Sequence, residues 1–490
     1  MTDLSASNRG VAKPVLVVDL DGTLTPSDSL VEGLLHVIRE HPQALPGVCW
    51  ALRRGRAEFK RAVVDAAELP ASALPYRDDL LTHLHAEHQQ GRRIVLATAA
   101  DERIAKAVAA HLGVFDEVLA TSGGQNLKGQ TKLDAIRQRI GDDFVYAGDS
   151  KADLPVWRAA RGAILVGAGR RHAEALQGQV PVVGQFGAAP SGAAQAWAKA
   201  VRLHQWLKNL LVFVPLLTGD VGLHAGPVLA MLGAFLAFSL LASATYLVND
   251  LLDLPSDRQH PRKRMRPLAA GRIAIQSALL AALSLLAAAV GIAALLPPRF
   301  GAVLLGYWVV TTAYTLAIKR YVLLDVLTLA VLYTTRIIAG AAVLSIAVSE
   351  WLLAFSAALF LSLALVKRCS ELVLMERQGK RQATGRDYNV ADTPVLLALG
   401  AAAAVSAIVV FGLFISQPQT LQRYTLPDAL WLVALALTYW LGRLWVKTGR
   451  GEMHDDPLVY TLMDRGCRLT LLGIVAVSLV ARFSLPGWAA

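Results

Sequence analysis

The chain has 490 residues, 54% of them hydrophobic, and a mean hydropathy of +0.45, which is too apolar for an ordinary soluble enzyme and places part of it in a bilayer. Its formal net charge of +11 admits either nucleic acid or a membrane surface as a partner. Its three cysteines, Cys49, Cys369 and Cys467, show no CxxC spacing, so neither a zinc site nor a disulfide framework is expected.

The N-terminal region, residues 1–184, is predicted to be an α/β domain. Apolar β-branched runs, namely VLVVDL, RIVLATA, FVYAGDS and AILVGAG, alternate with helix-period segments, as strands and crossover helices do. The first ten residues hold an acid and no apolar run, so no cleaved signal peptide is indicated. We therefore expect this domain in the cytosol.

The stretch VLVVDLDGT ends a predicted strand with two carboxylates one residue apart, Asp19 and Asp21. Alternate residues of a strand share a face, so both carboxylates can approach one hard cation at the carboxyl end of a parallel sheet. One aspartate could attack phosphorus while the other handles the leaving-group proton. Taken alone, the pattern also fits a turn with surface acids.

Three later stretches supply groups that suit a phosphate ligand. VLATAADE offers the hydroxyl of Thr98, and NLKGQTK offers the point charge of Lys132, with Lys128 second in preference. VYAGDSKAD ends a further strand with Asp149 and Asp153, which are spaced to complete a magnesium site and to brace its neighbours.

In order and context, these four stretches resemble the haloacid dehalogenase superfamily of phosphohydrolases over about residues 13–183. The resemblance implies a Rossmann-like α/β fold with a helical cap, here the mostly helical segment at about 25–90. It implies that Asp19 is the nucleophile that forms an aspartyl-phosphate and that Asp21 is the general acid/base. The other implied roles are phosphate binding by Thr98 and Lys132, and Mg²⁺ binding by Asp19, Asp21, Asp149 and Asp153. A fold without catalysis is the alternative.

After a linker at 185–200, apolar stretches of near-spanning length predict an all-α transmembrane domain over 201–490. About nine helices are predicted, at 208–220, 226–248, 274–296, 300–318, 323–345, 351–367, 392–415, 427–446 and 469–486. With the N-terminus inside, the cytoplasmic loops carry most of the basic residues, whereas the opposite loops carry only Arg299 and Arg423. This asymmetry predicts a multi-pass protein of the cytoplasmic (inner) membrane and accounts for the positive charge without nucleic acid.

A second group of acids follows the second predicted span in ATYLVNDLLDLPSDRQHPRKRMRP. Spacings of three and four place Asp250, Asp253 and Asp257 on one helical face beside Asn249. Three carboxylates repel one another unless a cation neutralises them, so the group predicts Mg²⁺-bound diphosphate. The alternative is an acidic cap paired with nearby arginines.

Basic residues come directly after these acids, and they either grip a polyanionic substrate or anchor the loop to anionic lipid. The predicted substrate-binding members are Arg258, Arg262, Lys263 and Arg266.

Together with LHQWLKNLLVFVPLL and YTLAIKRYVLLDVLTLAVLYTTRIIAGA, this acidic and basic stretch resembles the UbiA-type intramembrane prenyltransferase superfamily over about 200–488. The resemblance implies a bundle of about nine helices with a lateral opening for a polyprenyl chain and a polar chamber at the cytosolic face. It implies that Asp250 and Asp253 serve catalysis through Mg²⁺. Lys319, Asp325 and Arg336 are further polar candidates, and an arginine within an apolar helix is expected to face inward.

One departure from that family concerns the stretch after the sixth span, where most members carry a second aspartate pair. Here the sequence reads LVKRCSEL, with Lys367, Arg368 and Glu371. Bases in place of acids predict that additional phosphate is held there, and Glu371 lies one turn from Lys367 as its candidate partner. The pattern resembles the branch that uses phosphoribosyl diphosphate as donor and polyprenyl phosphate as acceptor. Ordinary helix-end residues are the alternative.

The two resemblances together imply a two-step enzyme. The membrane domain would join phosphoribose to polyprenyl phosphate, and the fused phosphatase would remove the 5-phosphate of the product. One alternative is prenyl transfer from a polyprenyl diphosphate to an aromatic or other acceptor. A second, of another class, is a carrier that only binds polyprenyl phosphate.

Overall fold

The computed structural model describes residues 13–67, 69–122, 126–167, 170–187, 192–219, 224–260, 263–379, 386–453 and 456–483. The chain divides into two compact units. The first unit combines Met1–Arg202 with Tyr246–Ala282, and the second combines Leu203–Thr245 with Leu283–Ala490.

A six-stranded parallel sheet forms the centre of the first unit, in the order β3-β2-β1-β4-β5-β6. Its strands are β1 (Val15–Val18), β2 (Ile94–Asp101), β3 (Glu117–Thr121), β4 (Phe144–Gly148), β5 (Gly162–Val166) and β6 (Val182–Phe186). The four runs recognised in the sequence are β1, β2, β4 and β5. The other two strands lie at the edges of the sheet and are only partly buried, so they lack a continuous buried run.

The helices of the sheet domain and its insertion alternate with these strands. They are α1 (Ser29–Glu40), α2 (Leu45–Leu52), α3 (Arg56–Ala67), α4 (Asp78–Gln89), α5 (Glu102–Leu112), α6 (Gln130–Arg139), α7 (Leu154–Ala159), α8 (Arg170–Leu176) and α9 (Ala193–Ala200). Helix α9 occupies the second half of the predicted linker, and β6 extends two residues beyond the predicted domain end at 184.

The inserted cap has a small core of its own, in which Val37, Val48 and Val63 bring α1, α2 and α3 together. Helix α4 differs, because Leu80 and Leu84 are fully buried in the core of the sheet domain. Because the apolar face of α4 packs in the core of the sheet domain, this helix belongs to that domain and not to the cap. The cap is therefore shorter than the predicted 25–90.

The remaining helices are α10 (Val214–Thr218), α11 (Ala225–Leu252), α12 (Leu254–Gln259), α13 (Ile275–Ala294), α14 (Pro298–Leu316), α15 (Leu324–Leu344), α16 (Glu350–Arg377), α17 (Thr393–Ile415), α18 (Pro418–Arg423), α19 (Leu430–Gly449), α20 (Pro457–Met463) and α21 (Arg465–Phe483). In the described residues, six helices are long and apolar enough to cross a membrane: α11, α13, α15, α16, α17 and α19.

The count of nine spans is therefore not confirmed. The first predicted span, 208–220, forms a 3₁₀ segment at Leu203–Phe213 followed by the short α10, and neither is long enough to span. Helices α14 and α21 stand at the fourth and ninth predicted positions, with 19 residues each.

A close backbone crossing fixes the 3₁₀ segment against α15 in the second unit. A Cβ atom placed on Gly340 would lie 1.9 Å from the carbonyl oxygen of Val212. Only glycine permits this approach. The small residues of IIAGA thus set how closely these two elements pack.

Candidate active sites

The first site lies where β1 ends, in the middle of the sheet. The side chain of Asp19 is buried, and its Oδ1 accepts hydrogen bonds from the Leu20 amide at 2.8 Å and from Lys132 Nζ at 3.0 Å. Lys132 comes from the first turn of α6 and is itself buried. The predicted nucleophile and the predicted phosphate-binding lysine are therefore in direct contact.

A second set of contacts holds Lys132 in place. Lys132 Nζ donates to Tyr146 Oη at 2.9 Å, and Tyr146 Oη donates to Asp153 Oδ1 at 2.8 Å. The other oxygen of Asp153 accepts from the amide and hydroxyl of Ser150 at 3.0 and 2.9 Å. Asp153 thus acts mainly as a brace. Tyr146 was missed by sequence reasoning, although it stands inside the strand run FVYAGDS.

Three carboxylates at this sheet edge form a group that suits a metal ion. Asp19, Asp149 and Asp153 present oxygens within 4.8 Å of one another. Asp149 accepts a hydrogen bond of 3.3 Å from Thr23. A Cβ on Gly22 would lie 2.2 Å from Asp149 Oδ2, and the φ of Gly22 is +81°. A glycine is therefore required for the acidic turn to approach Asp149.

The charge balance of the group also fits a divalent cation. Burial raises the pKa of Asp19, and burial together with the charges of Asp19 and Asp153 raises the pKa of Asp149 to about 7. Lys132 is a single positive charge facing three carboxylates. A hard divalent cation with oxygen ligands would supply the missing positive charge, and Mg²⁺ prefers such ligands.

Asp21 is oriented differently from this group. Its two oxygens accept from the amide of Ser29 at 2.8 Å and from the Ser29 hydroxyl at 3.1 Å. Burial, and next the carboxylate of Asp28 that caps α1, raise the pKa of Asp21 to about 7. A carboxyl group with this pKa exchanges a proton readily near neutrality. Its side chain lies outside the three-carboxylate group, so the geometry favours the acid/base role over metal binding.

Thr98 lies on the strand next to β1. The register pairs Val18 with Leu96, so Thr98 follows at the same carboxyl edge as the acidic turn. The side chain is fully buried, and its hydroxyl accepts a hydrogen bond of 3.0 Å from the amide of Ala100. This contact falls where the pairing of β2 with β3 shifts register, between Ala97 and Asp101, and it holds the hydroxyl in place.

The second acidic cluster lies at the end of α11 and in α12. Asp250 is buried and accepts from Arg202 at 2.6 Å and from Arg266 at 3.2 Å. Arg266 also donates to Asp257 at 2.6 Å. Asp253 stands between the two helices and accepts from Asn249 at 3.1 Å.

This geometry differs from the predicted shared metal site. In the described part of the chain, Asp250, Asp253 and Asp257 do not form a group of oxygens close enough to share an ion. Arginines neutralise Asp250 and Asp257 instead, which is the alternative that the sequence left open. Among the described residues, Oδ1 of Asp257 is nevertheless buried without a hydrogen-bond partner, with Lys263 Nζ 4.0 Å away. A buried carboxylate oxygen of this kind is a ready ligand for a cation.

The basic residues after this cluster have separate environments. Lys263 is exposed, and its Nζ lies 4.0 Å from Asp257. Arg258 donates to both oxygens of Glu32, at 2.6 and 3.0 Å, which argues against its predicted role in holding substrate. Arg262 lies outside the described residues.

In the second unit, Arg368 is fully buried on α16 and donates to Asp325 at 2.6 Å. Glu371 accepts from Arg368 and from Arg386. The expected Glu371–Lys367 pair is therefore wrong, because two arginines occupy Glu371. Lys367 is half-buried on α16, and Lys319 is half-buried on the 3₁₀ turn after α14.

A buried arginine occupies the interior of the second unit, as its position in an apolar helix predicted. Arg336 donates to Asn209 Oδ1 at 2.8 Å and to Tyr307 Oη at 3.2 Å. Nearby, Lys208 forms an ion pair with Asp456. Sequence reasoning assigned no role to Lys208 or Asn209, although a Lys-Asn pair within the apolar run WLKNLLVF is itself a signal.

Comparisons with known proteins match the N-terminal sheet domain and the membrane helices to two different families. The UbiA prenyltransferase family matches residues 209–464, and the haloacid dehalogenase-like hydrolases match residues 16–158. An uncharacterised protein of Sinorhizobium fredii, y4nM, is 40% identical over 92% of this chain and 87% of its own. The decaprenyl-phosphate phosphoribosyltransferase of Corynebacterium glutamicum is 30% identical over 61% of this chain and 90% of its own.

Among solved structures, a UbiA homologue from Archaeoglobus fulgidus bound to GPP and Mg²⁺ aligns with a TM-score of 0.43 and 16% identity, over 58% of this chain and 99% of its own. The candidate spans and the family match together indicate a multi-pass membrane protein. Because the family match covers more than half of the chain, this protein belongs to the UbiA prenyltransferase family and carries a haloacid dehalogenase-like hydrolase domain ahead of its membrane helices.

Proposed function

We propose that the membrane domain transfers phosphoribose from phosphoribosyl diphosphate to a polyprenyl phosphate, and that the N-terminal domain then removes the 5-phosphate of the lipid product. The observation that carries this proposal is the presence of two separate buried carboxylate clusters in one chain, around Asp19 and around Asp250. Relatives named decaprenyl-phosphate phosphoribosyltransferase support the choice of donor and acceptor.

In the transferase step, the bond between the ribose anomeric carbon and the diphosphate oxygen breaks, and an oxygen of the lipid phosphate bonds to that carbon. Mg²⁺, when bound, would neutralise the departing diphosphate. We assign its ligands to Asp250, Asp253 and Asp257, with Asn249 orienting Asp253. For these ligands to act, Arg202 and Arg266 must turn from the carboxylates toward the phosphate oxygens.

The positive groups then have three different assigned roles. Lys263 and Arg266 border the acidic cluster and are assigned to the diphosphate. Arg368 is paired with Asp325 and Glu371, so we assign it to orienting these two carboxylates and not to binding phosphate. Lys367 and Lys319 are the groups that we assign to additional phosphate.

In the phosphatase step, a carboxylate oxygen of Asp19 attacks phosphorus and the bond to the sugar oxygen breaks. Asp21 gives its proton to that oxygen, and then accepts a proton from the water that hydrolyses the aspartyl-phosphate. Lys132 and Thr98 hold the phosphoryl oxygens. Mg²⁺ on Asp19 and Asp149 would offset the negative charge that gathers there.

Fusion of the two domains would raise the local concentration of the intermediate at the phosphatase. The arrangement requires both active sites on the cytosolic side of the cytoplasmic membrane, where the basic loops are predicted to lie.

The proposal is tested by incubating membranes that contain the protein with polyprenyl phosphate, phosphoribosyl diphosphate and Mg²⁺. Diphosphate, inorganic phosphate and lipid product are measured. Asp19→Asn is expected to abolish phosphate release and leave diphosphate release intact. Asp250→Ala is expected to abolish diphosphate release and leave phosphate release from premade phosphoribosyl lipid intact.

Three other outcomes contradict the proposal in different ways. Prenylation of an aromatic acceptor without any ribosylated lipid would show prenyl transfer instead. Lipid binding without reaction would show a carrier. Turnover that persists after Mg²⁺ is chelated would show that neither step requires the metal.

A further inference from the structure

The cap of the phosphatase is joined to the sheet domain by two short segments. Leu24 and Leu74 are both buried in the core of the sheet domain, so the chain leaves this core at residues 25–28 and returns to it at residues 71–74. Any movement of the cap relative to the nucleophile must bend these two hinge segments.

The loop after α11, which belongs to the transferase sequence, contacts both hinges. Arg258 of α12 donates to both carboxylate oxygens of Glu32, in the first turn of α1, and to the carbonyl oxygen of Ala73 at 3.1 Å. Further along the same loop, a Cβ on Gly271 would lie 2.7 Å from Cγ of Pro26. The loop therefore meets the entry hinge at Pro26, the return hinge at Ala73 and the first turn of α1 at Glu32.

The ion pair between Glu32 and Arg258 is largely excluded from water. The side chains are 4% and 12% exposed. A bidentate pair between arginine and carboxylate fixes both distance and orientation. Breaking a pair that is this deeply buried leaves a charge without a partner, which is costly for the segment that carries it.

The same turn of α1 orients the acid/base group. Ser29 donates its amide and hydroxyl to Asp21, and Glu32 follows three residues later in the same first turn. A shift of that turn would therefore change the direction in which Asp21 points. A displacement of about 1 Å at a reacting group can cost about 100-fold in rate.

We propose that Arg258 is a positioning residue of the phosphatase, supplied by the transferase loop. It clamps the cap hinges and keeps the first turn of α1, and with it Asp21, in working orientation. This inference rests on the phosphatase role proposed above. It also gives the fusion a second purpose, because the phosphatase site is completed by a residue from outside its own domain.

The kinetic test uses the full-length protein in lipid nanodiscs, with p-nitrophenyl phosphate as substrate and Mg²⁺ present. Arg258→Gln is expected to lower kcat about tenfold or more, with KM changed less than about threefold, because an orienting contact is lost rather than a substrate contact. Arg272→Gln, an exposed arginine of the same loop, is the charge-matched control and should keep the wild-type kcat.

A double variant, Glu32→Gln with Arg258→Gln, separates positioning from stability. Removing both charges leaves no unpaired buried ion, so the melting temperature should return toward that of the wild type. The kcat should nevertheless stay low. Recovery of kcat together with the melting temperature would reduce the pair to a structural role and overturn the inference.

Hydrogen exchange provides a readout that does not depend on activity. In Arg258→Gln, the amides of residues 26–32 and 71–74 should exchange faster than in the wild type, while Arg272→Gln should leave them unchanged. Unaltered exchange and an unaltered kcat would refute the clamp. Failure of the wild type to hydrolyse the ester in an Asp19-dependent way would instead refute the proposed phosphatase, and the exchange result would still decide whether the clamp exists.

Discussion

At the scale of single residues, the proposed phosphatase site depends on the contacts of one buried lysine, Lys132. Lys132 contacts Asp19 directly and reaches Asp153 mainly through the hydroxyl of Tyr146, since the direct Lys132–Asp153 separation is 3.6 Å. The burial of Tyr146 and its negative neighbours raise the pKa of its hydroxyl, so the hydroxyl stays protonated and can donate to Asp153. The tyrosine thus fixes the direction of the ammonium group.

We expect Tyr146→Phe to lower phosphatase kcat about tenfold, because Lys132 loses one of the contacts that aim it at the phosphoryl group. The loss of one buried hydrogen-bonding group should cost about 1 kcal/mol of folding free energy. Steady-state kinetics with p-nitrophenyl phosphate and thermal unfolding measure the two effects. Tyr460→Phe, in the second unit, is the control. An unchanged kcat in Tyr146→Phe would show that Lys132 needs no such brace.

At the scale of elements, backbone contact decides how the second unit is held together. Helix α15 contains Arg336, which binds Asn209 of the 3₁₀ segment, and Gly340, which lies against Val212 one turn later in the same segment. The first predicted span therefore packs along α15 as a 3₁₀ segment. Its polar residues find partners there that lipid would not provide.

Gly340→Ala is expected to destabilise the protein by about 1–3 kcal/mol, since the added methyl group must displace backbone. Gly306→Ala on α14 is the matched control, because a Cβ there meets no atom within 4 Å. Thermal unfolding in detergent measures both variants. Equal melting temperatures would show that α15 and the 3₁₀ segment separate without cost.

At the scale of the whole molecule, the orientation in the membrane is predicted from charge. Basic residues concentrate in alternate loops, which predicts that these loops and the N-terminal domain share the cytosolic side. Cys49 of the cap is exposed, whereas Cys369 and Cys467 are buried. The protein therefore carries a natural reporter of the side on which the phosphatase lies.

A membrane-impermeant maleimide is expected to label the protein in inside-out vesicles and not in sealed right-side-out vesicles. Cys49→Ser should abolish the labelling, because the other two thiols are buried. Labelling is measured by the mass shift of the protein on a gel. Modification of Cys49 from the outer face would reverse the proposed topology.

The sequence by itself determined the central strands, the acidic turns and most of the spanning helices. Each of these follows from a local pattern: a buried apolar run, a pair of acids after a strand, or a stretch of lipid-compatible residues. The edge strands β3 and β6 were not predicted, because exposure interrupts their apolar pattern. The span predicted at 208–220 is not confirmed, because hydropathy records composition and not helix geometry, and the structure forms a 3₁₀ segment and a short helix there.

Only the tertiary structure decided which charges meet. Arg258 is 226 positions from Glu32, and Arg386 lies 15 positions beyond Glu371. No local spacing links such pairs, since an ion pair depends on the distance between folded segments. The sequence therefore predicted chemistry at Asp19 and Asp250, whereas the fold decided which charged side chains contact them and their surroundings.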